Sequence, residues 1–127
     1  MYKLIIVDDE PWILKDMEQI ADWPDLGFEL TALAEDADAA ERVLKRGAVD
    51  VVISDIRMPG RSGLELLASI NRLSPHTLVI FMSAYSEFAY AKQALEHGCF
   101  AYLLKPVVVD ELYETLRRCR QRRDERK

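Results

Sequence analysis

No apolar run in this chain approaches the ~20 residues needed to span a membrane. The opening MYKLIIVDDE is too short and too soon acidic to read as a secretory signal. Cysteine is scarce: Cys99 and Cys119 alone are too few for a disulfide framework, so a reducing cytoplasm is the expected compartment. There is no internal sequence repeat, no low-complexity tract and no Gly-rich phosphate loop after the first apolar run, which argues against a nucleotide or flavin binder. With 127 residues, 50% of them hydrophobic and 31% charged, the chain suits one domain with an ordinary core, and disorder, collagen and coiled coil are excluded. Charge is unevenly spread. The stretch 117–127 (RRCRQRRDERK) has seven basic and two acidic side chains, although the whole chain carries −5. An acidic body is a poor nucleic-acid binder by itself; the basic stretch offers charge for touching nucleic acid, but it reads first as a solvated helix end or a linker.

Five β-branched-rich apolar runs stand at 3–7 (KLIIV), 28–34 (FELTALA), 50–54 (DVVIS), 77–82 (TLVIFM) and 100–104 (FAYLL). The first, third and fourth are nearly continuous, as expected of strands covered on both faces; the second alternates and suits an edge. Helical patterns fill the gaps. Pro11 opens the first helix, with Trp12, Ile13, Met17 and Ile20 at helical spacing. Asp36 or Asp38 caps the second, with Ala39, Ala40, Val43 and Leu44 as its apolar stripe and Gly47 as its stop. Ser62 caps the third, with Leu64, Leu67, Ile70 and Leu73 on one face. Ser86 caps the fourth, which runs through Phe88, Ala91, Ala94 and Leu95 to Gly98. Asp110 starts the fifth, with Leu112, Tyr113 and Leu116 inward. Between the first helix and second strand, Pro24 and Gly27 hold a loop. This alternation predicts an α/β fold: a (βα)5, doubly wound parallel sheet with helices on both faces.

Polar residues sit where the strands stop: Asp8, Asp9 and Glu10 after the first, Asp55 after the third, Ser83 after the fourth, Lys105 and Pro106 after the fifth. In a parallel sheet these ends share one edge. Singly, each has an ordinary reading: a helix cap, a turn residue, a surface lysine. Together they form a carboxylate cluster that needs positive charge. Two unit charges at 4 Å repel by about 4 kcal/mol at an effective dielectric near 20. Lys105 supplies one charge, and all-oxygen donors suit Mg²⁺. A carboxylate beside such a cation and a lysine is placed to attack phosphorus.

The stretches VDDE (7–10), SDIRMPGRSGLELL (54–67), SAYSEFAYAKQALEHG (83–98) and YLLKP (102–106) resemble the receiver domain of bacterial two-component response regulators, from Met1 to about Arg118. The resemblance implies the flavodoxin-like strand order 2-1-3-4-5, an order borrowed from relatives within the same family. It implies that Asp55 is the phospho-acceptor and that Asp8 and Asp9 hold Mg²⁺, Asp9 directly and Asp8 through water. The backbone carbonyl of Arg57 is implied as a third protein ligand, alongside Asp55 itself. Ser83 and Tyr102 match the switch hydroxyl and aromatic, Lys105 the phosphate-binding lysine, and Pro106 a proline reached by a cis peptide bond. Pro59 and Gly63 match the turn into the third helix. DDEPW, DWPDLGFEL and SAYSEFAYAKQALEHGCFAYLLKPV are similar to receivers of transcription regulators with an AraC-type helix-turn-helix output.

The resemblance therefore implies a phospho-accepting domain, not an enzyme, spanning 1–118. Residues 119–127 would be a helix extension or a linker to an output domain absent from this chain. Its partners would be a sensor histidine kinase and, on phosphorylation, a second copy of itself. DNA would be reached only through the absent domain, with no membrane contact. Signalling would run through the face built from the fourth helix, fifth strand and fifth helix to control transcription. Arg57 and Tyr85 lie two positions beyond Asp55 and Ser83, where their bulk would slow attack by water. The rival readings are a stand-alone receiver and a Mg²⁺-dependent aspartyl phosphohydrolase. Such hydrolases place two aspartates two residues apart after the first strand and carry a cap domain, whereas Asp8 and Asp9 are adjacent.

Overall fold

A computed structural model of the chain describes residues 1–84 and 88–126. Strands and helices alternate throughout: β1 (Tyr2–Val7), α1 (Pro11–Gln19), β2 (Phe28–Ala34), α2 (Ala37–Arg46), β3 (Val51–Asp55), α3 (Gly63–Leu73), β4 (Leu78–Ser83), α4 (Phe88–Glu96), β5 (Ala101–Leu104) and α5 (Val109–Glu125). The strands form one sheet of order β2-β1-β3-β4-β5, and every neighbouring pair is parallel. This is the expected fold. Strand starts and ends fall within one residue of the apolar runs, because burial on both faces selects the same residues that pattern reading selects.

Side chains of successive strand residues leave opposite faces of the sheet, so one sequence feeds two cores. Ile5, Val7, Val52, Val79 and Phe81 pack with α2, α3 and α4, around Ala40, Leu66, Ile70 and Ala94. Leu4, Ile6, Val51, Ile53, Ile80 and Met82 pack with α1 and α5, around Leu14, Met17, Leu112, Leu116 and Cys119. β2 is at the edge, and its side chains alternate between buried and accessible, as its pattern predicts.

Asp36 caps α2 by accepting from the Ala39 N–H, and Ser62 caps α3 by accepting from the Glu65 N–H. The expectation that Tyr113 faces inward is corrected, and not every apolar residue at helical spacing is buried. Trp12 (63% exposed), Leu73, Leu95 and Tyr113 point outward. Leu14 takes the inward place on α1, and Leu66 joins Leu67 and Ile70 on α3. Apolar residues at the rim of a helical stripe fit the period equally well, and only the facing sheet decides between them. α5 starts at Val109, one residue before Asp110, and no side chain caps it. The expected cap of α4, Ser86, lies outside the described residues, as do Tyr85, Lys127 and the side chain of Phe88. Among the described residues, no helix is long and apolar enough to cross a membrane.

α5 continues through the basic stretch and is fastened to the body. Arg120 donates to the Leu26 carbonyl at 3.1 Å, Arg123 donates to the His76 carbonyl and to Asp50, and the Tyr2 hydroxyl donates to Asp124.

Candidate functional site

All strands of a parallel sheet end on the same edge, and here the ends of β1 and β3 lie side by side. Val7 pairs with Ser54, which puts Asp8 and Asp9 next to Asp55. Oxygens of Asp8, Asp9 and Asp55 lie within 4.8 Å of one another. Asp8 is fully buried, Asp55 is 8% exposed and Asp9 is half-buried. Asp8 is held on both sides: its N–H donates to the Ala34 carbonyl, and its Oδ1 accepts from the Glu10 N–H at 2.9 Å.

Lys105 follows the end of β5, and its N–H donates to the Ser83 carbonyl at 2.8 Å. Its ammonium reaches across the sheet edge. Nζ lies 3.0 Å from Asp8 Oδ2 and 3.4 Å from Asp55 Oδ1. The peptide bond from Lys105 to Pro106 is cis.

The electrostatics follow from this packing. Burial pushes the Asp55 carboxyl up to about 6 from 3.8; the Lys105 charge opposes the shift, and the charges of Asp8 and Asp9 add to it. Burial by itself works to lower the Lys105 ammonium, but its hydrogen bond to Asp8 and the charges of Asp55 and Asp8 outweigh that, and the net displacement is upward. With the oxygens within 4.8 Å of one another, each carboxylate pair repels by about 3.5 kcal/mol or more at an effective dielectric near 20. One ammonium cannot offset three such charges. Three converging hard oxygen donors with a deficit of positive charge are a donor set that fits a divalent cation such as Mg²⁺.

The carboxylates open into a cleft of about 680 Å³ bounded by Asp9, Asp55, Arg57, Pro59, Tyr90 and Lys105. Arg57 is exposed on its rim, with its guanidinium 5.5 Å from the centre of the Tyr90 ring. Ser83 ends β4, fully buried, and its hydroxyl donates to the Ala84 carbonyl. Met82, the residue before it, pairs with Asp55 in the sheet. Tyr102 lies in the middle of β5. It pairs with Phe81 and packs half-buried against the core shared with α3 and α4.

Two features escaped the sequence reading. Arg61 binds Asp38, Glu41 and Ser69, a contact between residues far apart in the chain that no local pattern announces. Gly63 is packed against the backbone of Asp55 and Ile56. A glycine as the first residue of α3, where most residues would serve, was the available signal.

Comparison with known proteins agrees with this geometry. The sequence profile of the family described as "Response regulator receiver domain" matches residues 4–117. The chain is 37% identical over 116 residues to the transcriptional regulatory protein YesN of Bacillus subtilis (strain 168); the match covers 91% of this chain and 32% of YesN. The chain thus spans about a third of that relative's length. Among solved structures, it superimposes with a TM-score of 0.90 on the REC domain of AraT, a response regulator from Geobacillus stearothermophilus, at 33% identity and covering 99% of this chain and 98% of that one. A two component transcriptional regulator AraC from Clostridium phytofermentans ISDg matches with a TM-score of 0.88 at 31% identity, covering 96% and 95%.

Proposed function

The chain belongs to the response regulator receiver domain family, and from that premise we propose that it accepts a phosphoryl group on Asp55 from the phosphohistidine of a sensor kinase. The observation that carries this reading is the meeting of Asp8, Asp9 and Asp55 around one lysine ammonium at the sheet edge.

In the proposed reaction a carboxylate oxygen of Asp55 attacks phosphorus. An O–P bond forms, the N–P bond of the phosphohistidine breaks, and the electron pair returns to the imidazole. Asp55 must be ionised to act, and Lys105 favours that form. Lys105 is also placed to pair with an oxygen of the transferred group. Asp8, Asp9, Asp55 and the backbone carbonyl of Arg57 would hold Mg²⁺. The ion would supply positive charge that favours ionised Asp55 and neutralises phosphoryl oxygens. Ser83 is the proposed switch hydroxyl, releasing Ala84 to bind a phosphoryl oxygen. Tyr102 is the proposed aromatic that follows it and passes the change to the α4–β5–α5 face. New charge-assisted hydrogen bonds would bias a two-state equilibrium. Arg57 at the cleft rim is also proposed to slow attack by water on the acyl phosphate.

The receiver unit is proposed to span 1–118, with the remainder of α5 leading towards an output domain. The chain's coverage of only 32% of YesN, a transcriptional regulatory protein, supports an output in transcription. DNA would be contacted by that domain, a second copy of the receiver by the α4–β5–α5 face, and the cytoplasm is the proposed compartment.

Intact mass after incubation with Mg²⁺ and acetyl phosphate tests the reading. One phosphoryl group is expected on the parent and none on Asp55→Asn. Labelling of both proteins, or multiple turnover of a phosphomonoester, overturns it; the latter favours the hydrolase.

A further inference from the structure

We infer that Arg61, which touches none of the reacting groups, is a positioning residue that fixes the loop wall of the cation site by clamping it to α2 and α3. The inference rests on the proposed reading of the cleft as a Mg²⁺-dependent phosphoryl-accepting site.

The loop 56–62 carries Arg57, whose carbonyl is the proposed third ligand. Asp8, Asp9 and Asp55 stand at the ends of paired strands, so the sheet positions them. The loop is different. Its backbone is tied near its two ends, where the Ile56 N–H donates to Met82 and the Gly63 N–H donates to Ile56. Between them, Arg57, Pro59 and Ser62 line the cleft. Gly60 has φ +78, a left-handed turn that favours glycine, and after it the side chain of Arg61 leaves on the side of α2.

There Nη1 donates to Asp38 Oδ1 at 2.8 Å, and Nη2 donates to Glu41 Oε1 at 2.5 Å and to Ser69 Oγ at 2.8 Å. Asp38 and Glu41 stand one turn apart on α2, while Ser69 is a buried residue of α3. One planar fork thus joins three elements, a task for guanidinium rather than ammonium. Hydrogen bonds from Arg61 and Ser69 hold the Glu41 carboxyl down at about 2, so the clamp stays charged at any working pH.

A loop already held in place gives up less freedom when one of its carbonyls takes a cation. Removing the clamp should leave the carboxylates where they are and weaken the ion through the loop alone. Loss of a group supporting a metal ligand costs about tenfold at the low end.

The test is a Mg²⁺ titration of the full chain, followed by the backbone amide shifts of Asp9 and Asp55. The parent, Arg61→Ala, Arg61→Lys and Glu41→Gln are compared, with urea stability measured in parallel. The expected result is a Kd about tenfold higher in Arg61→Ala and intermediate values in Arg61→Lys and Glu41→Gln. A parent-like Kd in folded Arg61→Ala, even with a lower urea midpoint, overturns the inference, because the clamp then stabilises without positioning. If Arg61→Ala fails to fold, parent-like Kd values in both other variants overturn it. Failure of the parent to bind Mg²⁺ overturns the reading of the cleft, and the inference with it.

Discussion

Gly63 rests on Asp55 so closely that a Cβ at position 63 would stand 2.5 Å from the Asp55 carbonyl oxygen and 2.8 Å from the Ile56 Cα. Both obstacles are backbone, and neither can rotate away. Gly63→Ala should therefore cost about 1–3 kcal/mol, the range for forcing one carbon into a packed site. It should also slow phosphorylation, because the displaced strand end carries Asp55, the proposed acceptor. Urea denaturation and the rate of mass labelling by acetyl phosphate check this. Parent-like values of both would show that α3 shifts freely.

Asp55 gives a pH dependence of definite sign. Its carboxyl lies at about 6 in the fold, above its ordinary value of 3.8. Below the lower value both states bind the proton, and the fold is not penalised. As pH rises through the interval, the unfolded chain ionises first, and stability falls. Above the upper value the loss is complete, on the order of 2–3 kcal/mol. Without Mg²⁺, Asp55→Asn should be more stable than the parent at pH 7.5 and no more stable at pH 3.5. Urea midpoints at the two pH values decide it. An equal gain at both would assign the effect to something other than ionisation.

Lys105 is the ammonium shared by Asp8 and Asp55. Lys105→Met leaves the fully buried Asp8 without it. The expected loss is about 2 kcal/mol in metal-free protein, below the 3–5 kcal/mol of a fully buried pair because Lys105 is partly exposed. Added Mg²⁺ should recover part of that loss. Thermal unfolding with and without Mg²⁺ measures it, and a loss independent of the ion would argue that the cluster and the cation do not communicate.

Ser83→Ala should remain phosphorylatable yet fail to respond. The change keeps Asp55 and Lys105 and removes only the proposed switch hydroxyl. Sedimentation with and without acetyl phosphate reads the response. Activation-dependent dimerisation equal to the parent's would remove Ser83 from the switch.

The last turns of α5, beyond the proposed receiver boundary at 118, are predicted to add stability to the receiver they pack against. Truncation after Arg118 would remove Arg120, Arg123 and the partner of the Tyr2 hydroxyl, together with buried Cys119. The cost should be about 2 kcal/mol or more, from lost core packing and charge-assisted bonds. An unchanged urea midpoint would make these turns a mere extension.

The order of strands and helices, and the placing of Asp8, Asp9, Asp55, Ser83 and Lys105 at strand ends, were determined by the sequence alone. Those are local matters: apolar period, capping residues and the point where an apolar run meets a charge. The strand order was anticipated through the family resemblance, since nothing local says that β3 pairs with β1. Only the tertiary structure decided which rim residues turn inward, so Trp12 and Tyr113 face outward while Leu14 does not. It alone decided that one lysine bridges Asp8 and Asp55, that Arg61 grips two helices, and that Gly63 touches the backbone of Asp55. Each of these depends on a distance between segments remote in the chain, and such a distance is set by how the sheet and its two helical layers pack.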